Sequence, residues 1–268
     1  LPRCVLLYGD TNSTRAGSAV APKMQIPVIQ NEAGLRSFNR AMPEEINRIV
    51  TDHLSDLLFC SSQQGAAHLI SEGISKGVYI SGDVMYDAIL RFAKIAELKY
   101  SIREILPFEP GTYGLLTLHR PSNTDNIDNL KNILDALASF SYPIVWPVHP
   151  RMNGKFNGID LPANVHTVPP YSYLEMLTVL KAASKVFTDS GGLQKEAYWL
   201  KKPCITLREE TEWVETLHHK WNIICGANST AIKSAFNTSP DLETWIPLYG
   251  DGNASGKIAS IIKSIYYN

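Results

Sequence analysis

The sequence predicts an α/β protein with two parallel sheets, each covered by helices on both faces. Short apolar runs such as Cys4–Tyr8 and Leu57–Cys60 alternate with longer segments of helical periodicity, as expected for parallel strands that are buried on both sides. This alternation stops at residues 85–111, which end in Pro110 and Gly111, and then restarts. The chain has 268 residues, which is enough for two domains.

The first predicted domain covers residues 1–84. Its strands are predicted at residues 4–8, 26–29, 57–60 and 78–80, and its helices at residues 16–21, 43–50 and 63–72. The second helix begins with Pro43 and carries Glu44 and Glu45 in its first turn, where proline and acidic side chains are favourable. Complete doubly wound domains contain more strand–helix units than these. We therefore expect this domain to be incomplete, with an N-terminal segment missing.

The second predicted domain covers residues 112–268, after a connecting helix and linker at residues 85–111. Its strands are predicted at residues 113–118, 143–148, 165–168, 186–188 and 204–207. Its helices are predicted at residues 127–140, 173–183, 193–200 and 256–266, the last able to pack back on the first domain. Two Rossmann-like domains of this kind are expected to face a cleft, because loops at the carboxyl ends of parallel strands bind ligands.

Composition excludes several classes of partner. The formal net charge is -1, so a nucleic-acid partner is not expected. The four cysteines are widely spaced and lie in or beside apolar runs, which indicates free thiols in a reducing compartment and neither disulfides nor a metal site. No apolar stretch reaches membrane-spanning length and no signal peptide is present. We therefore predict a cytoplasmic protein without a membrane partner.

The most specific motif is Thr188-Asp189-Ser190-Gly191-Gly192. A strand ends at Thr188 and a glycine pair leads into a helix, so backbone N–H groups and the positive helix end would form a cradle for a diphosphate. The Ser190 hydroxyl can donate to the same ligand, and Glu196 can accept hydrogen bonds from ribose hydroxyls. A tight strand–helix turn with an ordinary cap explains the motif equally well on spacing alone.

Three acids follow strands or begin a helix in the first domain. Asp10 and Glu32 come directly after strands, and Glu44 lies at a helix start. Carboxylates gathered at one sheet edge can share proton transfer, because crowding and burial separate their pKa values. Taken singly, each acid has a simpler explanation: a helix cap for Asp10, an ion pair with Arg36 or Arg48 for Glu32, and dipole compensation for Glu44.

Two basic motifs follow strands of the second domain. His119 and Arg120 come after its first strand, and His149 follows the next one. Imidazole can exchange protons near neutral pH, and guanidinium binds phosphate with paired donors. A position in a surface loop is the alternative for each histidine, and for His149 it is as well supported as function.

Together these motifs resemble the UDP-N-acetylglucosamine 2-epimerases of the non-hydrolysing bacterial type. The matching segments, in order, are Gly9-Asp10-Thr11, Glu32-Ala33-Gly34-Leu35-Arg36, Pro43-Glu44-Glu45-Ile46-Asn47-Arg48, Thr51-Asp52-His53, His119-Arg120, His149-Pro150, Asp189-Ser190-Gly191-Gly192, and Arg208 with Thr211-Glu212. The resemblance implies a GT-B-like fold with UDP between two Rossmann-like domains, and interconversion of UDP-GlcNAc and UDP-ManNAc without NAD, other cofactors or metal. It also implies a UDP-sugar substrate and a homodimer.

The resemblance also assigns residues to roles. Catalysis falls to Asp10, Glu32, Glu44 and His119. UDP binding falls to Arg120, His149, Ser190, Gly191, Gly192, Glu196 and Arg208, while Arg36 and Arg48 support the carboxylates. The implied reaction removes the C2 proton and expels UDP from C1 in an anti elimination, and the bound 2-acetamidoglucal then recombines with UDP.

Four departures from the family pattern accompany the match. Gln30 replaces a histidine, Ser122 replaces a glutamate and Lys195 replaces an acidic residue. The fourth departure is the absence of the family's N-terminal segment, which carries an early basic loop. A nucleotide-sugar glycosyltransferase of the same fold and a non-catalytic UDP-sugar-binding protein are the alternatives to an epimerase, and a hydrolysing epimerase is a variant of it.

Overall fold

The computed structural model describes residues 1–148, 152 and 159–267. These residues form two compact units, one made of residues 1–90 and 247–268 and the other of residues 91–246. The predicted domain limits, 1–84, 85–111 and 112–268, stay predictions. Among the described residues, no helix combines the length and the apolar character that crossing a bilayer requires.

The first unit contains a four-stranded parallel sheet in the order β1-β2-β3-β4. Its strands are β1 (Val5–Tyr8), β2 (Val28–Asn31), β3 (Leu57–Cys60) and β4 (Val78–Ile80). Its helices are α1 (Asn12–Val20), α2 (Pro43–Leu54), α3 (Gln63–Ser71) and α11 (Ala254–Tyr266), with a short 3-10 turn at Pro22–Met24. Helix α4 (Val84–Lys99) begins in this unit and ends in the other.

Both faces of this sheet are covered, as the apolar strands require. Leu58 and Cys60 of β3 pack with Leu69 of α3, while Phe59 of the same strand packs on the opposite face with Ile258 of α11. Alternate residues of a strand point to opposite faces, so a strand that is apolar at every position has to be covered twice. β1 lies at the sheet edge, and its burial alternates accordingly.

The second unit contains a six-stranded parallel sheet in the order β10-β9-β8-β5-β6-β7. Its strands are β5 (Gly114–Thr117), β6 (Ile144–Pro147), β7 (Val165–Val168), β8 (Lys185–Thr188), β9 (Cys204–Thr206) and β10 (Asn222–Ile224). Its helices are α5 (Ile102–Ile105), α6 (Pro121–Thr124), α7 (Ile127–Ala138), α8 (Tyr173–Ala182), α9 (Gly191–Trp199) and α10 (Ser229–Phe236), with 3-10 segments at Val214–Lys220 and Leu242–Thr244. The predicted α/β class with parallel sheets is confirmed.

The centre of this sheet places two loops side by side. β5 pairs with β8 in a register that sets Thr117 opposite Thr188, and their hydroxyl groups are 2.6 Å apart. Both strands end here, so the loop that carries His119 emerges beside the loop that carries Asp189. This is the neighbourhood in which parallel sheets bind ligands.

Several predicted elements differ from the structure in their bounds. The first helix begins at Asn12 rather than at residue 16, because the Thr11 side chain accepts a hydrogen bond from the backbone N–H of Thr14 and caps it. β2 lies two residues later than predicted. β10 and α10 were not predicted. All four cysteines are free thiols, as predicted, and three of them are buried.

Candidate functional site

A cavity of about 350 Å³ opens at the carboxyl ends of β5 and β8 in the second unit. It is lined by Thr117, Leu118, His119, Pro147, Pro170, Tyr171, Met176, Ser190, Gly192, Leu193 and Glu196. Cavities of this size and position are typical ligand sites. Four of the predicted site residues therefore share one cavity: His119, Ser190, Gly192 and Glu196.

The amino end of α9 forms one wall of this cavity. Ser190 is its N-cap, and its hydroxyl accepts a hydrogen bond from the Leu193 N–H at 3.4 Å. Gly191 and Gly192 are the first two residues of the helix, where backbone N–H groups lack intrahelical acceptors and the helix dipole is positive. A Cβ added at Gly192 would lie 4.0 Å from the Ser190 Oγ, at van der Waals distance, and Gly192 itself lines the cavity. The wall suits an anionic ligand such as a diphosphate.

Asp189 ties the two loops together beneath the cavity. It is fully buried and accepts hydrogen bonds from the backbone N–H groups of His119 at 3.1 Å and Arg120 at 3.0 Å. The Asn123 amide donates a further bond at 3.2 Å. Burial opposes the ionisation of Asp189, but the His119 ring and the backbone N–H groups of Arg120 and His119 outweigh it and lower its pKa.

The ring of His119 is oriented by the same carboxylate. Its Nδ1 lies 3.0 Å from Asp189 Oδ1, so a proton on Nδ1 would be held by this carboxylate. No role was predicted for Asp189. Its partner lies 70 residues away in the chain, and only its place before Ser190 in the motif hinted at a function.

Glu196 lies one turn into α9 and faces the cavity. Burial raises its pKa to about 7, while a hydrogen bond from the Tyr173 hydroxyl and the charge of Lys195 oppose this rise. A carboxylate in this setting can accept hydrogen bonds from ligand hydroxyl groups when it is ionised.

Two of the predicted basic residues, Arg120 and Arg208, are not among the residues that line the cavity. The buried Arg208 guanidinium forms two hydrogen bonds with Glu212, at 3.0 and 3.1 Å. Its Nη1 would lie 3.7 Å from a Cβ added at Gly191, so it supports the start of α9. Arg120 is the N-cap residue of α6. His149 falls outside the described residues.

Asp10 belongs to an ion-pair network in the first unit. Arg48 binds Asp10 Oδ2 through Nη2 at 2.7 Å and Glu45 Oε2 through Nη1 at 2.9 Å. Burial raises the pKa of Asp10, and Glu32 and Glu44 add to this rise while Arg48 opposes it. The three predicted carboxylates therefore act on one another electrostatically. Thr11, rather than Asp10, caps α1.

Glu32 adopts a backbone conformation that is uncommon for its residue type. Its φ is 65°, in the left-handed region that usually favours glycine. One oxygen, Oε2, would lie 3.8 Å from a Cβ placed on Gly9, which sets this carboxylate over the loop that carries Asp10. The Gln30 side-chain amide contacts the same loop, donating a hydrogen bond to the Gly9 carbonyl at 2.8 Å. Strained backbone of this kind is often associated with functional sites.

Arg36 forms ion pairs with acids other than the predicted catalytic carboxylates. Its Nη1 binds Asp52 at 2.7 Å, and its Nε binds Glu72 at 2.7 Å. The guanidinium is fully engaged by these two acids and the Leu35 carbonyl, so it supports α2 and α3 rather than the candidate carboxylates. Arg48 is the arginine that binds Asp10. In the described part of the chain, no three His, Cys, Asp or Glu residues are grouped as a metal site would need.

Comparison with known proteins agrees with these features. The family model described as UDP-N-acetylglucosamine 2-epimerase matches residues 1–263. A UDP-N-acetylglucosamine 2-epimerase homolog of Methanococcus maripaludis is 44% identical over 98% of this chain and 76% of its own length. A UDP-2,3-diacetamido-2,3-dideoxy-D-glucuronate 2-epimerase of Pseudomonas aeruginosa is 41% identical over 98% of this chain and 75% of its own length.

A solved structure gives the same result. The crystal structure of Methanocaldococcus jannaschii UDP-GlcNAc 2-epimerase in complex with UDP-GlcNAc and UDP matches with a TM-score of 0.87 and 37% identity, over 98% of this chain and 76% of that chain. The predicted GT-B-like fold is thereby confirmed. The chain spans about three quarters of the length of these relatives. By its sequence and its fold, the chain belongs to the UDP-N-acetylglucosamine 2-epimerase family.

Proposed function

We propose that this chain interconverts UDP-GlcNAc and UDP-ManNAc by inverting the configuration at C2 of the sugar. The observation that carries the proposal is the cavity of the second unit, where the amino end of α9, the Asp189-held His119 and Glu196 meet. The family membership supports the same reaction, since the Methanocaldococcus relative is a UDP-GlcNAc 2-epimerase seen with UDP-GlcNAc and UDP.

UDP binds in this cavity, in the proposal, with its diphosphate at the amino end of α9. Backbone N–H groups at Gly191 and Gly192, the Ser190 hydroxyl and His119 surround that position. Glu196 accepts hydrogen bonds from the ribose. Arg208 acts indirectly, because two of its donors are bound to Glu212 and its Nη1 lies near the start of α9, which it helps to hold in place.

The proposed reaction is an elimination followed by an addition. A carboxylate takes the C2 proton, the C1–O bond breaks, and UDP leaves with the bonding electron pair to give 2-acetamidoglucal. UDP then adds back at C1 while C2 receives a proton on its opposite face. The C2–H is a weak acid, so the reaction needs both a placed base and a stabilised diphosphate leaving group.

The carboxylates of the first unit supply the proton transfers. Asp10 is assigned as the base because burial and its neighbours Glu32 and Glu44 raise its pKa, which makes the carboxylate a stronger base, while Arg48 opposes this rise. Glu32 and Glu44 carry the second proton transfer. The oxidation level of the sugar does not change, so the proposal includes no redox cofactor.

A second substrate of the same class is favoured by one comparison. The Pseudomonas relative acts, by its name, on UDP-2,3-diacetamido-2,3-dideoxy-D-glucuronate and is nearly as similar as the Methanococcus relative. This sugar has the same acetamide at C2, so the same elimination and re-addition apply. The predicted homodimer and cytoplasmic location stay predictions.

The proposal is tested by incubating the protein with each sugar nucleotide in deuterated water and following C2 by NMR. Deuterium at C2 of recovered UDP-sugar, with both epimers present, is the expected result. Free ManNAc and UDP would instead indicate a hydrolysing epimerase. Bound UDP without any exchange would contradict an epimerase and leave a glycosyltransferase or a non-catalytic binder.

A further inference from the structure

Three consecutive main-chain carbonyls at the end of β1 each accept a hydrogen bond from a side chain. The pairs are Thr14 Oγ1 with Tyr8 O at 2.7 Å, Gln30 Nε2 with Gly9 O at 2.8 Å, and Asn47 Nδ2 with Asp10 O at 2.9 Å. The three donors belong to α1, β2 and α2, and all three donor residues are buried. The main chain leading to and including Asp10 is therefore tied to three different elements of the first unit.

Asn47 uses both hydrogens of its side-chain amide. One is donated to the Asp10 carbonyl, and the other to the side-chain oxygen of Asn12 at 3.1 Å. Rotating the amide by half a turn would place its oxygen against two acceptors, so these bonds fix its orientation. Asn12 is the first residue of α1. Asn47 thus joins α2 to the loop of Asp10 and to the helix that follows this loop.

The next residue of α2 holds the Asp10 side chain. Arg48 donates to Asp10 Oδ2 from Nε at 2.9 Å, and its Nη2 lies 2.7 Å from the same oxygen. Arg48 therefore fixes one point of the carboxylate, and the direction of the other oxygen, Oδ1, depends on where the main chain of Asp10 lies. The Asp10 side chain is 31% exposed, so packing constrains it less than it would a buried carboxylate.

We propose that Asn47, together with Gln30 at the preceding carbonyl, is a positioning residue that sets the direction of the Asp10 carboxylate for proton transfer at C2. The inference rests on the proposed function, because it takes Asp10 to be the base. A base has to lie within hydrogen-bond reach of the proton that it removes, and a displacement of about 1 Å can slow a reaction about a hundredfold. A main chain tied at three carbonyls limits such a displacement.

The test compares Asn47→Leu with the wild type by C2 deuterium exchange at saturating UDP-GlcNAc. Leucine is close to asparagine in size and lacks both donors. We expect exchange to slow about a hundredfold, while calorimetry shows unchanged affinity for UDP, because UDP is proposed to bind in the second unit. The Asp10 carbonyl loses its donor, so Tm should fall, and a thermal melt establishes that the variant is folded.

Asn164→Leu is the matched control. The Asn164 amide also donates to main-chain carbonyls, those of Leu137, Phe140 and Tyr142, each at 3.0 Å. Asn164 directly precedes β7, so it lies at the strand ends opposite to the cavity. Its replacement should lower stability without changing the rate of C2 exchange, normalised to the amount of folded protein.

A double-mutant cycle separates positioning from a general structural role. In the Asp10→Asn background the base is absent, so adding Asn47→Leu should slow the residual exchange by less than about threefold. A residue that only stabilises the fold would cause the same loss in both backgrounds. Gln30→Met removes the donor to the Gly9 carbonyl and gives a second test that leaves α2 intact. It should slow exchange when Asp10 is present and have little effect when Asp10 is absent.

Wild-type exchange in folded Asn47→Leu would overturn the positioning role, and so would equal losses in the two backgrounds or in Asn164→Leu. If Asn47→Leu does not fold, wild-type exchange in Gln30→Met overturns it instead. If Asp10→Asn exchanges as fast as the wild type, the positioning role is overturned while the proposed epimerase function stands. If the wild type shows no C2 exchange at all, the proposed function fails first and the inference fails with it.

Discussion

Two arginines of the first unit each bridge a pair of acids, and the two groups distribute proton affinity in opposite ways. Arg36 joins Asp52, whose side chain is 2% exposed, to Glu72, which is 26% exposed. Arg48 joins Glu45, which is 1% exposed, to Asp10, which is 31% exposed. Both groups therefore combine one deeply buried acid with one accessible acid.

The acid with the raised pKa is the buried one in the first group and the accessible one in the second. Burial raises the pKa of Asp52 to about 6, while the bond from Arg36 lowers that of Glu72. In the second group, burial is outweighed at Glu45 by bonds from the Ser37 and Phe38 N–H groups and from Arg48, so its pKa is lowered. Asp10 keeps a raised pKa. Only the Arg48 group thus presents a basic carboxylate to ligands.

The largest expected effect comes from removing that carboxylate. Asp10→Asn should slow C2 deuterium exchange about a thousandfold, in the range known for general bases, while calorimetry shows unchanged UDP affinity. Asp52→Asn is the control from the other group. Its rate of C2 exchange, normalised to the amount of folded protein, should be nearly that of the wild type. Equal losses of exchange in the two variants would contradict the distinction between the groups.

A smaller effect is expected on stability when the Arg36 group loses its cation. Arg36→Met leaves Asp52 and Glu72 without a counter-ion and should lower the free energy of unfolding by about 3 kcal/mol, as for other buried ion pairs that lose one partner. Urea unfolding measures this change. Arg48→Met should cost less, about 2 kcal/mol, because Glu45 keeps the donors at Ser37 and Phe38. The reverse order would show that Arg48 is the stronger structural link.

The smallest effect is a shift in pH dependence. Arg48 lowers the pKa of Asp10, so Arg48→Met should raise it further, and C2 exchange should be lost at a higher pH than in the wild type as the solution is acidified. The pH at which acid unfolds the protein should also rise in Arg48→Met. The lowered pKa of Glu45 stabilises the fold above its unfolded value, and this contribution is lost as pH falls through the folded pKa. In the variant, acid unfolding should therefore begin at a higher pH, and an unshifted profile would contradict this coupling.

Much of the architecture followed from local sequence. The strands β3 and β4 were predicted at their observed bounds, because each is a short apolar run between polar turns. β10 and α10 were missed, since β10 is only three residues long and begins with an asparagine, and α10 depends on the Asn228 cap rather than on a long apolar stripe. Their positions are fixed by packing against β9 and α7.

The candidate site was predictable residue by residue, but its connections were not. Gly191 and Gly192 were recognised because glycine in a strand–helix turn has a local meaning. Two sets of ion pairs join residues that are far apart in the chain: Asp189 with His119, and Arg36 with Asp52 and Glu72. Such pairs depend on which loops the neighbouring strands bring together, and this cannot be predicted from the spacing of residues in the sequence.

The hydrogen bonds of Asp189 also join the loop after β5 to the loop after β8. Asp189 accepts two main-chain bonds from the loop after β5 and a side-chain bond from Asn123 of α6, so this loop is fastened to the residue that precedes the N-cap of α9. The amide hydrogens of His119 and Arg120 should therefore exchange slowly with solvent. In the proposed binding mode, UDP would meet two loops that are already joined, so less of its binding free energy would be spent on ordering them.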